Sequence, residues 1–480
     1  MTNTDLLSIL PVLLLVVWAS TLLLVDVFTK RTRLTFTLAA IGVLVDLGVA
    51  LYQGGGQAIS GFKGMVVVDG FTVFLNALFL VSAFAGLALA YDYNRRMDLD
   101  RGEYYILLLY AVSGMMLMAA ATDLIVVFLA LELLSIPLYV LAGFARPKAE
   151  SEEAALKYFL LGAFSGGFVV YGIALVFGAT GTTAIPGISA ALLAGSADLP
   201  LMLVGSGLVL VGFAFKVAAV PFQMWTPDVY QGAPSAVTAF MAVGAKAAGF
   251  AALLRVFMLA LPSLQLDLTP VLWTLAALTM FVGNIVAIAQ SNIKRMLAYS
   301  SIAHAGYIFM ALVTFGQSSA AADAVAATLF YLLAYAITNF GAWSVVIALE
   351  KKEGKGLELS DYAGLGAKYP GLALAMMVFM LSFTGVPPTL GFVGKFFLFR
   401  TVLEAGFVGL AIIGVLTSLI SAYYYLRILV IMYMQEGEPE ARREGWLLLT
   451  TIVTAIATVL LSIFAVPLFQ WASQAVLVLF

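Results

Sequence analysis

The sequence predicts an all-α polytopic membrane protein of about 14 transmembrane helices, and three observations carry that prediction. Of its 480 residues, 63% are hydrophobic and only 10% charged, and the mean hydropathy is +1.06. A soluble domain averages roughly 45–50% apolar and about 25% charged residues. Apolar runs of about 20 residues, enough for a helix to cross a ~30 Å hydrocarbon core, recur along the whole chain. The polar stretches between them are short, so residues 1–480 read as a single integral membrane domain.

Taken in order, spans are expected near residues 5–25, 34–52, 70–90, 104–120, 124–143, 154–178 and 201–223, then 234–260, 270–289, 296–315, 322–349, 371–403, 407–433 and 446–470. Asp5 precedes the first run, with no basic segment before it and no small-residue cleavage pattern after it, so the run reads as a retained helix and not a signal peptide. An even number of spans places both termini on one side. Odd-numbered loops hold 16 of the 24 basic residues, whereas the even-numbered loops hold only Lys63. The positive-inside rule then places both termini outside.

Composition also excludes functions. With 0 cysteines and 1 histidine the chain ligates no iron–sulfur cluster, forms no disulfide and builds no bis-histidine haem. No cofactor is expected in this chain, and any redox chemistry it serves belongs to other subunits. The balance of 24 basic against 26 acidic residues argues against nucleic acid as a partner; lipid, water and protons are the expected company.

The ionisable residues inside the spans are the functional signal. Near a helix centre a lysine or aspartate costs about 2.5–3.5 kcal/mol on insertion scales, so such groups face inward, pair or stay wet. Glu132 reads as the only carboxylate near the middle of a span, with Asp123 as the N-cap of its helix. Lys216 and Lys246 lie deep in the seventh and eighth spans, and Lys395 follows an interrupted stretch in the twelfth. A purely structural ion pair joining helices is the plain alternative for these four. Lys157, beside Tyr158, is only about one turn inside the cytoplasmic end, where snorkelling serves as well. His304 lies among Ser300, Ser301 and Tyr307, and a lone histidine is more often a satisfied core residue than a relay. Arg255 and Arg400 read as snorkelling at outer helix ends, and Arg427 is left open.

Burial disfavours the charged form of both a lysine and a glutamate, and an opposite charge restores it. A Glu–Lys pair that opens and closes is therefore a proton switch. Moving one charge against about 180 mV takes roughly 4 kcal/mol, or about three pKa units, within the reach of buried lysines.

Two spans are interrupted by proline. Pro221 follows Lys216 by five residues and frees the carbonyl of Val217; Pro387 and Pro388 free those of Phe383 and Thr384, with Gly385, Gly391 and Gly394 loosening the stretch before Lys395. Irregular backbone at membrane depth survives only inside protein or along a wet cavity. The breaks fall five helices apart, and units of five helices alternate in orientation, which predicts two inverted repeats. The expected organisation is helices one to three over about 1–103, a first five-helix repeat over about 104–260, a second over about 270–433, and a last helix over about 446–480.

The run PFQMWTPDVYQGAPSAVTAFMAVGAKAAGF, from Pro221 to Phe250, resembles the signature of the antiporter-like membrane subunits of respiratory complex I, the proton-pumping NADH:quinone oxidoreductase. Its WTPDVYQGAP form looks most like the subunit N branch. LELLSIPLYVLAGFARP from Leu131, SNIKRMLAYSSIAHAGY from Ser291 and TGVPPTLGFVGKFFLF from Thr384 agree, so the resemblance covers essentially the whole chain. It implies a proton path in which Glu132, Lys216, Lys246 and Lys395 match the glutamate and lysines of the fifth, seventh, eighth and twelfth helices. Lys157 matches the sixth-helix lysine of the N branch, and the resemblance strengthens His304 as a relay. It also implies the inner (plasma) membrane of a bacterial cell, M-type and K-type neighbours, and NADH, flavin, iron–sulfur clusters and quinone in partner subunits.

Two departures stand out: Gln223 where the family often has histidine, and Ser235-Ala236 where it often has threonine-proline. Gln223 cannot titrate, so a relay there is limited to hydrogen bonding. Of the paralogues, L is disfavoured because no long lateral helix pattern follows the last span, and M because it usually carries glutamate where Lys395 stands. A subunit of a multisubunit cation/proton antiporter or of a membrane-bound hydrogenase shares these motifs and is the main rival. A stand-alone solute transporter predicts a midplane pocket, and a scaffold gains nothing from deep lysines.

Overall fold

A computed structural model describes residues 2–480 apart from 318–319, 353, 476 and 478–480. Among the described residues, 12 helices are long and apolar enough to cross a membrane. They are Leu10–Thr29, Thr32–Gln53, Gly70–Arg96, Gly102–Ala120, Leu124–Ala142, Ala149–Thr180, Leu199–Lys216, Ser235–Ala260, Pro262–Ile288, Ala321–Leu349, Val408–Met434 and Gly445–Ile463. Helices also stand at the other two expected places, but they fail that test for identifiable reasons. Ile293–Leu312 carries Lys294, Arg295, Ser300, Ser301 and His304, which lower its hydropathy. The last is split into Pro370–Thr384 and Leu390–Glu404, 15 residues each; at about 1.5 Å per residue neither half crosses a ~30 Å core alone.

Helix starts follow local chemistry. Asp69, Asp123, Asp198 and Asn292 each accept a hydrogen bond from an N–H in the first turn of the helix that follows, satisfying donors that lipid could not. Glycine sets how closely the helices cross. A Cβ on Gly114 would sit 2.4 Å from the backbone nitrogen of Leu134, and one on Gly172 would sit 2.7 Å from the carbonyl oxygen of Gly205. Small residues at these crossings let backbones touch, the usual basis of helix association in lipid. Every residue of Ser235–Arg255 is buried, so the core is centred on the helix that carries Lys246, and outer helices such as Leu10–Thr29 and Gly445–Ile463 are mostly uncovered.

The loops sort onto two faces. Odd-numbered loops bind one another: Thr32 to Asp100 at 2.9 Å, Arg96 to Glu444 at 2.6 Å, Lys351 to Glu440 at 3.0 Å, and Lys352 to Asp98. Even-numbered loops do the same on the other face, where the two-stranded hairpin Ile59–Gly61/Val66–Val68 lies. There Asp5 accepts from the N–H of Phe62, Thr122 donates to Gly64 O, and Thr183 donates to Asp123.

Two readings of the sequence need correction here. Arg255 does not snorkel. It is fully buried, grips Asp69 through both terminal nitrogens at 2.9 and 2.7 Å, and donates to Thr72 at 2.7 Å and to the carbonyl of Ala119 at 2.6 Å. Nor is Glu132 the only carboxylate deep in a span. Asp46 in Thr32–Gln53 is fully buried, and neither of its carboxyl oxygens has a hydrogen-bond partner among the described residues.

Candidate functional site

The seventh span breaks earlier than proline alone dictates. Its helix ends at Lys216, and the chain runs non-helically to a second short helix, Trp225–Gly232. Ala218 adopts φ +63°, and the indole of Trp225 donates to the carbonyl of Phe215 at 3.0 Å. The carbonyls of the last helical turn stay taken, Phe213 O by Val217 N–H at 3.0 Å, Ala214 O by Ala219 N–H at 2.8 Å and Phe215 O by Ala218 N–H at 3.0 Å, and Val217 is only one residue of a longer unwound segment. Lys216 thus stands at a helix C-terminus, where the helix dipole favours a cation. Its ammonium donates to Ser135 Oγ at 2.8 Å and to Tyr158 OH at 3.1 Å.

Ser135 lies one turn beyond Glu132 on Leu124–Ala142, a helix that stays continuous despite Pro137. Glu132 is half-buried and packs over Gly166, where a Cβ would come within 3.0 Å of its Oε1. Glu132 and Lys216 are electrostatic neighbours, but among the described residues no ion pair within 4.0 Å joins them. The pair stands open.

The stem of Lys216 runs over Gly249, one turn beyond Lys246, at 3.5 Å from where a Cβ would lie. Lys246 donates to the carbonyl of Ser301 at 2.5 Å and to the Ser301 hydroxyl. Ser301 also interacts with Tyr230 and Tyr335. One turn along the same helix, His304 Nδ1 lies 2.6 Å from Tyr331 OH and Nε2 lies 3.1 Å from Tyr425 OH, which meets Ser300 Oγ at 2.5 Å. The imidazole packs 5.2 Å from the Phe383 ring. The carbonyl of that same Phe383, with that of Thr384, accepts from Lys395 Nζ at 2.9 Å, and Ser418 Oγ accepts at 2.8 Å. These are the two carbonyls that Pro387 and Pro388 leave without an N–H.

No carboxylate ion-pairs with Lys216, Lys246 or Lys395 among the described residues. They are held by dipoles, and their hydroxyl partners can accept from an ammonium or donate to an amine without changing position. A lysine so held can gain or lose a proton with little rearrangement. Lys216, Lys246, His304 and Lys395 are all buried, and each is contacted by hydroxyls whose role sequence reasoning missed: Ser135 and Tyr158 at Lys216, Ser301 at Lys246, Tyr331 and Tyr425 at His304, and Ser418 at Lys395. Ser300, Ser301 and Tyr307 are legible as polar company for His304; Tyr331, Tyr335 and Tyr425 come from other helices, and only the one-turn spacing of Tyr331 and Tyr335 hints at a shared face.

Lys157 is placed differently. It is 40% exposed and bound to Glu153 at 2.8 Å and Asp228 at 2.6 Å, and Asp228 also takes Arg295 at 2.8 Å. Burial alone would raise the Asp228 carboxyl, but the hydrogen bonds from Lys157 and Arg295 outweigh it and hold it below the usual carboxylate range. It is Tyr158, the next residue, that touches Lys216. Lys157 and Asp228 line a cavity of about 640 Å³ on the odd-loop face, whose wall includes Tyr93, Lys294 and Glu350. Glu350 is buried, accepts from Tyr93 OH at 3.2 Å, and leaves its second oxygen without a hydrogen-bond partner among the described residues. At the far end of the line a cavity of about 390 Å³ joins Lys395 to the Arg400–Glu404 pair. No group of three or more His, Cys, Asp or Glu is placed to hold a metal among the described residues.

Residues 121–421 match the family described as NADH:quinone oxidoreductase/Mrp antiporter, TM. The chain is 48% identical over 477 residues to NADH-quinone oxidoreductase subunit N of Trichlorobacter lovleyi, covering 98% of this chain and 96% of that protein. It is 46% identical to the subunit N of Chloroflexus aggregans, with 99% and 98% covered. A chain of respiratory complex I from Thermus thermophilus, solved with bound aureothin, superposes with a TM-score of 0.83 at 36% identity over 96% of this chain and 99% of that one. A chain of the Mrp complex from Dietzia sp. superposes at 0.87 with 22% identity over 99% and 97%, a likeness of fold alone. Sequence identity, and not shape, separates the two kinds of relative: the chain belongs to the NADH:quinone oxidoreductase/Mrp antiporter transmembrane family, on its subunit N branch.

Proposed function

We propose that this chain is the proton-translocating membrane subunit N of a bacterial NADH:quinone oxidoreductase, and that protons cross it along the buried line Lys216–Lys246–His304–Lys395. The observation that carries the reading is that Lys216, Lys246 and Lys395 are buried with no carboxylate ion pair among the described residues, while one cavity reaches Lys395 and another is lined by Lys157, the sequence neighbour of the Tyr158 that binds Lys216. Protons are taken up on the odd-loop face, through the cavity bordered by Lys157, Asp228 and Glu350. They reach Lys216 past Tyr158, pass on to Lys246 and by way of Ser301 toward His304, and leave past Lys395 toward Arg400 and Glu404. Glu132 sets the charge state of Lys216 by closing on it or opening from it. Lys157 belongs to the uptake cavity and acts on Lys216 only through Tyr158.

In this reading the membrane domain comprises 14 spans with both termini outside. Two inverted five-helix repeats each contribute one broken helix, so the breaks at Pro221 and at Pro387-Pro388 present their freed backbone to the line from opposite sides. The chain does no redox chemistry of its own: NADH, flavin, iron–sulfur clusters and quinone lie in partner subunits, and M-type and K-type subunits flank this one. The fold is equally compatible with a cation/proton antiporter or membrane-bound hydrogenase subunit, but relatives at 46–48% identity across nearly the whole chain favour NADH:quinone oxidoreductase.

The test compares the assembled complex in sealed vesicles with and without Lys246→Ala and Glu132→Ala, following NADH-driven quinone reduction and proton uptake together. Pumping is expected to fall sharply while assembly survives. Unchanged pumping in an intact complex would reduce these residues to structural roles and move the proton path elsewhere.

A further inference from the structure

A groove of about 540 Å³ runs between Pro370–Thr384 and Gly445–Ile463, and none of the residues lining it is a member of the proposed proton line. Its long wall is a stripe of Leu448, Ile452, Ile456 and Leu460, which repeat every four residues and are 40–52% exposed. Twelve residues of helix rise about 18 Å, close to the ~15 Å of a single leaflet's hydrocarbon. The opposite wall is Gly371, Leu374, Ala375 and Val378, and a Cβ built on Gly371 would meet nothing within 4 Å. Thr451, the one polar side chain along the apolar wall, turns its hydroxyl inward to Leu447 O and Ser344.

At the odd-loop end of this groove stand Arg442 and Arg443. The carboxylates beside them in sequence are taken: Glu440 binds Lys351 at 3.0 Å and Glu444 binds Arg96 at 2.6 Å. Among the described residues neither arginine has a carboxylate within ion-pair distance. Arg442 is fixed by its backbone N–H, which donates to Ala348 O at 2.8 Å, and Arg443 lies 5.3 Å over the ring of Tyr369. Arg442 feels Glu440 and Glu444 only at longer range, and two guanidinium groups with no ion pair within 4.0 Å among the described residues, at membrane-interface depth above a leaflet-long apolar trough, are complementary to a phosphate headgroup with an acyl chain beneath it.

We propose that this groove is a binding site for an anionic phospholipid of the cytoplasmic leaflet, with the phosphate on Arg442 and Arg443 and one acyl chain along Leu448–Leu460. The site lies on the periphery and lets a lipid brace the last helix against the split twelfth span, whose first half forms the facing wall. It is independent of the proton path, so failure of one reading leaves the other standing.

The test uses the purified assembled complex in nanodiscs carrying a trace of photoactivatable phosphatidylglycerol with its reactive group on the acyl chain, and maps labelled peptides by mass spectrometry. Labelling is expected on Gly445–Ile463, and the Arg442→Gln/Arg443→Gln double variant should lose it about 30-fold. Gly371→Leu, which adds bulk to the groove and leaves both arginines in place, should also abolish it. Equal labelling by the phosphatidylcholine analogue, persistence in the double-glutamine variant, or crosslinks to another polypeptide at these residues would each overturn the proposal. So would displacement of the probe by millimolar inorganic phosphate, which would make this a simple anion site.

Discussion

Lys246 is held by two atoms of one residue, the carbonyl and the hydroxyl of Ser301, and the two are not equivalent. The carbonyl can only accept, whereas the hydroxyl can pass a proton on toward Tyr230 and Tyr335. Ser301→Ala therefore keeps the anchor and removes the relay. Losing a hydrogen bond to a charged group is worth about 1.5–3 kcal/mol, so proton pumping is expected to slow about tenfold or more while the complex assembles normally. Tyr425→Phe should act similarly by cutting Ser300 from His304. Proton uptake per quinone reduced in sealed vesicles measures both, and an unchanged ratio and rate would remove these hydroxyls from the path.

Asp228 makes a different residue-scale prediction, from sign alone. Its carboxyl is depressed in the folded protein, so the Lys157–Asp228–Arg295 network is fully formed above the ordinary aspartate value of about 3.9 and is lost only as pH falls through the lower folded value. The pH profile of pumping between about 5 and 8 should therefore be the same in wild type and Asp228→Asn, even if the rate differs. The buried pair Arg255–Asp69 tests stability instead. Arg255→Met breaks the buried ion pair and should cost about 3–5 kcal/mol. Adding Asp69→Asn, which keeps a capping oxygen for Thr72 N–H, should change stability by much less on the Arg255→Met background than on wild type in detergent-solubilised thermal unfolding, because the two side chains act as one pair.

At the scale of elements, the two broken helices show what a sequence can and cannot reveal. In the twelfth span the carbonyls named by the proline rule, those of Phe383 and Thr384, are the ones that bind Lys395, because two adjacent prolines remove two donors at defined spacing. In the seventh, the rule named Val217, yet the helix had already ended at Lys216. The cause is tertiary: the Trp225 indole takes the Phe215 carbonyl and the Thr279 hydroxyl takes the N–H of Val220, contacts no local pattern encodes. The same limit explains Arg255, whose partner Asp69 is 186 residues away, and the tyrosines around His304, which converge from separate helices. Apolar length and deep lysines were legible because each is a property of one segment. Pro387→Ala/Pro388→Ala tests the point: it restores the N–H donors that compete with Lys395 for its carbonyls, so pumping should fall although every titratable group remains. A second element-scale prediction concerns Gly114, where even alanine would place Cβ 2.4 Å from the Leu134 backbone. Gly114→Ala should force the Glu132 helix outward at a cost of about 1–3 kcal/mol, read as a lowered unfolding midpoint.

For the whole molecule, the direction of proton flow depends on which face looks inward. The odd-numbered loops hold 16 of 24 basic residues and are stitched into one surface by Thr32–Asp100, Arg96–Glu444, Lys351–Glu440 and Lys352–Asp98, so the charge bias belongs to a single face and not to scattered loops. With 0 cysteines in the chain, single substitutions report on sidedness without background. Arg101→Cys and Lys355→Cys should react with a membrane-impermeant maleimide only after cells are permeabilised, whereas Lys63→Cys and Ser196→Cys should react in intact cells; all four positions are exposed. The reverse pattern would place the Lys157–Asp228 cavity outside and the Lys395 cavity within, and uptake and release would exchange ends along the same line of residues. In the proposed path the line has no intrinsic polarity, since hydroxyls can pass a proton either way, so the proposal leaves direction to the orientation of the two cavities and the energy supplied by partner subunits.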